Sequence, residues 1–220
     1  MKRYALYYAP PRGPLAETAA RWLGRDAQTN ARFDQPHPSL WSLSASARRY
    51  GFHATLKAPF RLADGLTKDD LIGAVDTFAA RTSAFAIDGL QVASLDGFLA
   101  LIPMGDTATL DAYAAKITTR FDCFRAAMTP AERQRRNPDR LTDRQRALLD
   151  SYGYPFVLDQ FRFHMTLTDR LDAAQAATLR PLAETVFGPV LPTPCPIDCL
   201  LVFGESEDGV FHQLHRAKLT

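Results

Sequence analysis

Two copies of one five-residue pattern are the part of this sequence best suited to chemistry. Residues 52–56 and 163–167 both read Phe-His-x-Thr-Leu, and their histidines, His53 and His164, lie 111 positions apart in a chain of 220 residues. Imidazole has an unperturbed pKa of about 6.5, so near neutral pH one histidine can accept a proton while another donates one. A separation of about half the chain indicates two related halves that each contribute one histidine.

The alternation of side chains along a β-strand gives the repeat a chemical face. If each copy is a strand, His53, Thr55 and Lys57 share one face of the first, and His164 and Thr166 share one face of the second. Threonine hydroxyls can donate hydrogen bonds to the oxygens of a phosphate. Two histidines on opposite sides of phosphorus can act as general acid and general base, which typically accelerates a reaction about 100- to 10,000-fold each.

These residues therefore predict phosphate chemistry that needs no metal and no cofactor. His53 and His164 are the candidate catalytic residues, and Thr55, Thr166, Lys57 and Tyr7 are the candidate substrate-binding residues. Tyr7 lies in a tyrosine-rich strand predicted over residues 3–9. The sequence does not decide which histidine is the acid and which is the base.

The surrounding pattern alternates strands and helices and then repeats. Strands are predicted over Tyr50–Phe60 and Phe161–Thr168, helices from Thr67 to about Ala80 and over Thr107–Met128, and mostly loop over residues 26–48. This order predicts an α+β fold. We expect a two-lobed, pseudo-symmetric fold in which each lobe is an antiparallel sheet with helices on its outer face, around a central cleft. We expect one bilobal domain over residues 1–220, with lobes of about 1–105 and 106–220 and the C-terminal part crossing over.

An arginine-rich segment, residues 129–150, interrupts this pattern and is predicted to be a helical insertion. It opens with Thr129-Pro130-Ala131-Glu132, which has the form of a capping box with proline at the first helical position. Six arginines follow within it: Arg133, Arg135, Arg136, Arg140, Arg144 and Arg146. Two interpretations stay open, namely a solvated helical face and a lid or clamp that binds substrate phosphate.

Composition narrows the class of protein. The formal net charge is +2, with 46% hydrophobic and 23% charged residues, which is typical of a globular protein and gives no reason to expect a DNA partner. No apolar run is long enough for a membrane span. Three cysteines, an odd number, argue against a disulfide framework and for a reducing, cytoplasmic location. The oligomeric state stays open.

The two His-x-Thr-hydrophobic motifs resemble those of the 2H phosphoesterase superfamily, which includes RNA 2′,3′-cyclic phosphodiesterases and RNA-ligase-like proteins. The longer stretches 50–60 and 161–168 look like a narrower bacterial, DUF1045-like branch associated with phosphonate metabolism. The resemblance implies that His53, Thr55, His164 and Thr166 form the catalytic set. The arginine-rich segment is outside the shared core of the superfamily.

The expected partner is a small phosphorylated substrate or an RNA end. The leading hypothesis is hydrolysis of a cyclic phosphodiester, either a 2′,3′-cyclic nucleotide or RNA end or a ribose cyclic phosphate. The alternative is a non-catalytic RNA- or nucleotide-binding module that uses the same cleft. A metallohydrolase is disfavoured because no further histidine or carboxylate lies near the motifs.

Overall fold

The computed structural model describes every residue from 1 to 220. The strands are β1 (Tyr4–Tyr8), β2 (Ala54–Phe60), β3 (Phe85–Ile87), β4 (Leu90–Leu95), β5 (Phe98–Pro103), β6 (Met165–Thr166), β7 (Cys195–Ile197), β8 (Cys199–Glu205) and β9 (Phe211–Lys218). The α-helices are α1 (Pro14–Leu23), α2 (Leu40–Leu43), α3 (Ala45–Tyr50), α4 (Lys68–Ala79), α5 (Ala108–Arg120), α6 (Pro130–Gln134), α7 (Asp143–Tyr152) and α8 (Ala173–Phe187). None of these helices combines the length and apolar character that a bilayer span requires.

Seven of the strands form one antiparallel sheet in the order β4-β5-β6-β2-β1-β8-β9, and β3 pairs with β7 in a separate antiparallel pair. The α+β class with antiparallel sheets and helices is confirmed. Strands β2, β1, β8 and β9 lie on one side of the sheet and β4, β5 and β6 on the other. The two groups meet where β2 pairs with β6. Each half of the chain supplies strands to both groups, and the division into two lobes at about residue 105 stays a prediction.

One continuous core holds the sheet and helices together. β8 is buried along its whole length because it has β1 and β9 on either side. Helix α4 packs on β8 and β9, α5 on β2, and α8 on β4. The indole of Trp22 in α1 is completely buried and donates a hydrogen bond to the backbone carbonyl of Leu167, at 2.9 Å. Helix α1 is thereby attached to the last residue of the second histidine motif.

Two helix starts follow from the side chains at their N-caps. The Thr67 hydroxyl accepts a hydrogen bond from the backbone amide of Asp70 at 3.2 Å, and the Asp70 carboxylate accepts one from the backbone amide of Thr67 at 2.8 Å. Thr129 and Glu132 form the same reciprocal pair at the start of α6. Capping boxes of this kind satisfy amides that have no partner within the helix. Both helix starts were predicted from sequence.

The strand predicted over Tyr50–Phe60 begins only at Ala54. Tyr50 instead ends α3, and Gly51 turns the chain out of the helix with a φ of 82°. Helices α2 and α3 also occupy part of the segment predicted as loop. In the second motif only Met165 and Thr166 form a strand. The next two backbone amides, those of residues 167 and 168, both donate to the Leu99 carbonyl, which interrupts the regular ladder.

Candidate active site

The polar residues of the repeated motif lie on one face of the large sheet, where its two groups of strands meet. β2 pairs with β6 at Ala54 and Met165, and both of these side chains are fully buried. Residues on either side of this pair must face the opposite way, because side chains alternate along a strand. Those residues are His53, Thr55, His164 and Thr166, and all four are partly exposed.

The antiparallel register sets the positions of these four side chains relative to one another. His53 lies across from Thr166, and Thr55 lies across from His164. Side chains directly opposite each other have Cβ atoms about 5 Å apart, and diagonal neighbours are about 7–8 Å apart. The two histidines occupy one diagonal and the two threonines the other. Imidazole rings that start from positions this far apart can both reach one phosphate group placed between them, with a hydroxyl on each side.

Both imidazole rings make the same hydrogen bond. His53 Nδ1 lies 2.8 Å from the carbonyl oxygen of Gly51, and His164 Nδ1 lies 2.8 Å from that of Arg162. A carbonyl oxygen only accepts, so Nδ1 carries the proton in each ring and the neutral ring keeps its lone pair at Nε2. His53 Nε2 lies 3.1 Å from the Thr55 hydroxyl, which can donate to it. The two halves of the chain therefore orient their histidines by the same device.

Packing holds the His53 ring more firmly than the hydrogen bonds alone. The ring stacks on Tyr7 with centroids 3.7 Å apart and an angle of 20° between planes. The turn at Gly51, which presents the carbonyl to His53, requires glycine on two grounds: φ is 82°, and a Cβ at this position would lie 2.4 Å from the Cβ of Ala27. The second ring has a looser aromatic contact, since His164 lies 5.6 Å from the Phe98 ring in a tilted arrangement.

Burial keeps both histidines neutral in the protein alone. It lowers the pKa of His53 to about 4, a shift that the Gly51 carbonyl opposes and the neighbouring His164 reinforces. Burial also lowers the pKa of His164, against the opposing effect of the Arg162 carbonyl. The sequence predicted that one ring can be protonated near neutral pH. In this site that state needs an anion beside the rings, because a nearby negative charge favours the protonated imidazole.

A cleft of about 620 Å³ opens over this face of the sheet. Tyr7, His53, Thr55 and Thr166 line it, whereas His164 does not. Glu132 is the one carboxylate in its lining, and no three His, Cys, Asp or Glu side chains in the chain are arranged to hold a metal ion. The lining is otherwise rich in arginine and tyrosine.

His164 borders a second, smaller pocket of about 180 Å³ that is mostly apolar. Its walls include the rings of Phe98, Phe156 and Phe161. Thr55 lines both cavities, so the main cleft and the small pocket adjoin at the threonine that lies across from His164. The two histidines thus lie at the border between a polar cavity and an apolar one.

Lys57 is not part of the cleft, and its predicted role as a substrate contact is corrected by the structure. The register of β1 against β2 shifts between Thr55 and Lys57, which leaves Leu56 as an extra residue. Alternation is therefore lost, and Lys57 points to the buried side of the sheet. Its ammonium group lies 2.9 Å from a carboxylate oxygen of Asp122 and 3.3 Å from the carbonyl oxygen of Thr118. Ala58 takes its place in the cleft lining.

Comparison with protein families places the chain in one of them. A family described as protein of unknown function (DUF1045) matches residues 55–212, which begin two residues after His53 and include the whole second motif. The chain belongs to the DUF1045 family. No activity is part of that family's description.

This DUF1045 protein also aligns with part of two longer curated proteins, each named ribose 1,5-bisphosphate phosphokinase PhnN. The protein from Janthinobacterium sp. (strain Marseille) is 40% identical, with 95% of this chain and 49% of that protein aligned. The protein from Laribacter hongkongensis (strain HLHK9) is 34% identical, with 97% and 51% aligned. The chain spans about half the length of these relatives.

Solved structures of similar extent share little sequence with the chain. A crystal structure of a phosphoesterase covers 100% of this chain and 98% of its own, at 14% identity and a TM-score of 0.44. The crystal structure of TT0787 of Thermus thermophilus covers 99% and 97%, at 12% identity and a TM-score of 0.41.

The cleft of this DUF1045 protein is strongly basic. The arginines in its lining are Arg3, Arg49, Arg61, Arg125, Arg135 and Arg136. Three of them are held by carboxylates: Arg3 by Glu205 at 2.6 Å, Arg61 by Glu132 at 2.9 Å and Arg125 by Asp122 at 2.9 Å. The other three, Arg49, Arg135 and Arg136, have no carboxylate partner and are called the unpaired arginines below.

The structure divides the arginines of the arginine-rich segment into two sets. Arg133, Arg144 and Arg146 form ion pairs with acidic side chains, whereas Arg135 and Arg136 line the cleft. Sequence reasoning did not identify Arg3, Arg61 or Arg125 as cleft residues. These arginines lie at strand ends or in turns, where no sequence pattern indicates which way a side chain points.

Proposed function

We propose that this DUF1045 protein is a phosphoesterase of the 2H type that opens a cyclic phosphodiester, with His53 and His164 as its general acid and general base. The observation that carries the proposal is the meeting of two His-x-Thr motifs on neighbouring antiparallel strands, each ring oriented by the same Nδ1 hydrogen bond. This arrangement supports an in-line displacement at one phosphorus atom, with one histidine beside the attacking oxygen and the other beside the leaving oxygen.

The reaction needs two proton transfers, one for each histidine. A neutral histidine takes a proton from water at Nε2 as the water oxygen forms a bond to phosphorus. The other histidine, protonated, gives its Nε2 proton to the sugar oxygen as the bond between that oxygen and phosphorus breaks. The product is a phosphomonoester with a free hydroxyl. Thr55 and Thr166 donate hydrogen bonds to the non-bridging oxygens, whose negative charge strengthens such bonds.

The lowered pKa values fit a catalytic pair that is completed by the substrate. With both rings neutral in the protein alone, each retains a lone pair at Nε2. A bound phosphodiester places a negative charge beside them, which raises both pKa values and favours uptake of one proton. This proposal predicts that kcat/KM, which reports the free enzyme, has its optimum below pH 6.5, and that kcat has its optimum at higher pH.

A ribose cyclic phosphate is the substrate we favour. The two curated relatives are named for a kinase that acts on ribose 1,5-bisphosphate, and this chain corresponds to about half of each. No glycine in this chain is followed by lysine, so it lacks the Gly-Lys step of a P-loop kinase. We assign the kinase activity in that name to the rest of those proteins and ribose phosphate ester chemistry to this part.

A panel assay tests the proposal directly. Purified protein is incubated in EDTA with ribose 1,2-cyclic phosphate, the four nucleoside 2′,3′-cyclic phosphates and an RNA ending in a 2′,3′-cyclic phosphate, and products are followed by ³¹P NMR. We expect ring opening of the ribose compound, and loss of at least about 100-fold in kcat for His53→Gln and for His164→Gln. His37→Gln, in a loop outside the cleft, is the matched control.

Two outcomes would count against the proposal. The absence of turnover with every compound in the panel removes the enzymatic function, and tight, salt-dependent RNA binding in its place would favour the binding-module alternative. Full activity in either His53→Gln or His164→Gln would contradict a mechanism that needs both rings.

A further inference from the structure

The unpaired arginines give the cleft more positive charge than its reacting groups account for. Both histidines are neutral in the protein alone, and three of the six cleft arginines form ion pairs with carboxylates, one of which, Asp122, also pairs with Lys57. Arg49, Arg135 and Arg136 add three charges without a carboxylate partner beside a single cavity. A cyclic phosphodiester carries one negative charge.

Two of the unpaired arginines are braced by aromatic rings. The guanidinium of Arg136 lies 5.1 Å from the centre of the Tyr154 ring, and that of Arg49 lies 4.6 Å from the centre of the Tyr50 ring. Arg49 also donates a hydrogen bond of 2.6 Å to the Tyr50 hydroxyl. Stacking of this kind fixes a guanidinium in place and leaves N–H groups at its edge free to bind an anion.

Three arginines of the same segment that lie outside the cleft have carboxylate partners. Arg133 binds Asp150 at 2.7 Å, and Arg144 and Arg146 bind Asp159 and Asp143. None of these three lines the cleft. Arg140, which is exposed and lies outside the cleft, also has no carboxylate partner, so Arg135 and Arg136 differ from it in their position rather than in their pairing. Their position in the cleft lining makes their charges available to an anion that enters the cleft.

We infer that the unpaired arginines bind a phosphomonoester carried by the same substrate molecule as the cyclic phosphodiester. A phosphomonoester has a charge of about −1.5 to −2 at pH 7 and three acceptor oxygens, which match several guanidinium groups as a diester cannot. The cleft of about 620 Å³ is also much larger than one phosphate and suits a small molecule with two. The inference rests on the proposed function and narrows its substrate class.

A pair of matched substrates tests this. The kcat/KM of ribose 1,2-cyclic phosphate is compared with that of the same compound bearing a 5-phosphate, in wild type and in Arg49→Gln, Arg135→Gln and Arg136→Gln. A charge-assisted hydrogen bond corresponds to a factor of about 10 to 100, so wild type should prefer the bisphosphorylated compound by at least about 100-fold. Each variant should lower that preference about tenfold. Arg140→Gln, an exposed arginine of the same segment outside the cleft, should keep it.

The outcomes separate this inference from the proposed function. A wild-type preference near one, or a preference unchanged in all three variants, overturns the inference while the phosphoesterase stands. If neither compound is turned over, calorimetric binding of ribose 5-phosphate and of ribose decides. Binding of ribose 5-phosphate alone, weakened in Arg136→Gln and not in Arg140→Gln, upholds the phosphate subsite; equal binding of the two sugars or of the two variants rejects it.

Discussion

Burial of His53 predicts a loss of stability at acid pH that can be assigned to this one side chain. Its pKa is about 4 in the folded protein, against about 6.5 in an unfolded chain. Between these values the unfolded state binds a proton that the folded state does not. The free energy of unfolding therefore falls as the pH is lowered through 6.5, by about 1.4 kcal/mol for each pH unit, and reaches a loss of about 3 kcal/mol near pH 4.

Urea unfolding of wild type and His53→Gln at pH 7, 5.5 and 4 measures this contribution. Glutamine does not titrate, and its amide can still donate to the Gly51 carbonyl. Other groups titrate over the same range in both proteins, so the informative quantity is the difference between their slopes. We expect wild type to lose about 3 kcal/mol more than the variant between pH 7 and pH 4. Values at pH 7 alone do not bear on the point, because the substitution also alters packing on Tyr7.

An NMR titration of the histidine ring protons gives an independent check. The resonance that disappears in His53→Gln should titrate near pH 4, and addition of a phosphate ester should move its midpoint upward. A midpoint near 6.5, together with parallel stability slopes for the two proteins, would refute the argument. It would mean that water reaches the ring freely, and the site would then lack the burial on which the catalytic proposal relies.

Three further predictions concern the residues that build the site. Gly51→Ala should destabilise the protein by about 2–4 kcal/mol in urea unfolding, more than Gly65→Ala, which has a similar φ of 81° but open space for a Cβ; equal effects would show that the contact is relieved. Lys57→Met should lower the free energy of unfolding by about 1–3 kcal/mol because it leaves Asp122 with one cation fewer, and kcat/KM should not change. Unchanged stability with a reduced kcat/KM would instead mean that Lys57 acts in the site. Thr166→Val should reduce kcat/KM about 10- to 100-fold at nearly constant Tm, and unchanged kinetics would remove its hydroxyl from the proposed oxygen contacts.

The parts that could be predicted from the sequence are those that depend on local rules. Thr67 and Thr129 predict the starts of helices because an N-cap side chain bonds to a backbone amide only three residues away. The shared face of His53 and Thr55 follows from the two-residue period of a strand. That the two motifs adjoin could be anticipated from their duplication, since two similar halves tend to place similar residues at similar positions.

Strand alternation fails at Lys57 for a reason that no local rule contains. The extra residue at Leu56 arises from the pairing of β2 with β1, a strand almost fifty residues earlier in the chain. Once the register shifts, the lysine faces α5 and meets Asp122. Counting by twos from His53 and Thr55 thus places Lys57 on the wrong face of the strand. Only the register of β2 with β1 determines which face the lysine takes.

The arginines of residues 129–150 show the same limit at the level of charge. In sequence Arg133, Arg135 and Arg136 are near-equivalent members of one basic cluster. In the fold the first has Asp150 as its partner, seventeen residues later, while the other two line a cleft to which β1, β2, β6 and α3 also contribute. Whether an arginine is available to a ligand depends on which carboxylates the rest of the chain brings to it. The chemistry of the two histidines could therefore be proposed from a short motif, but the charge of the molecule on which they act required the whole fold.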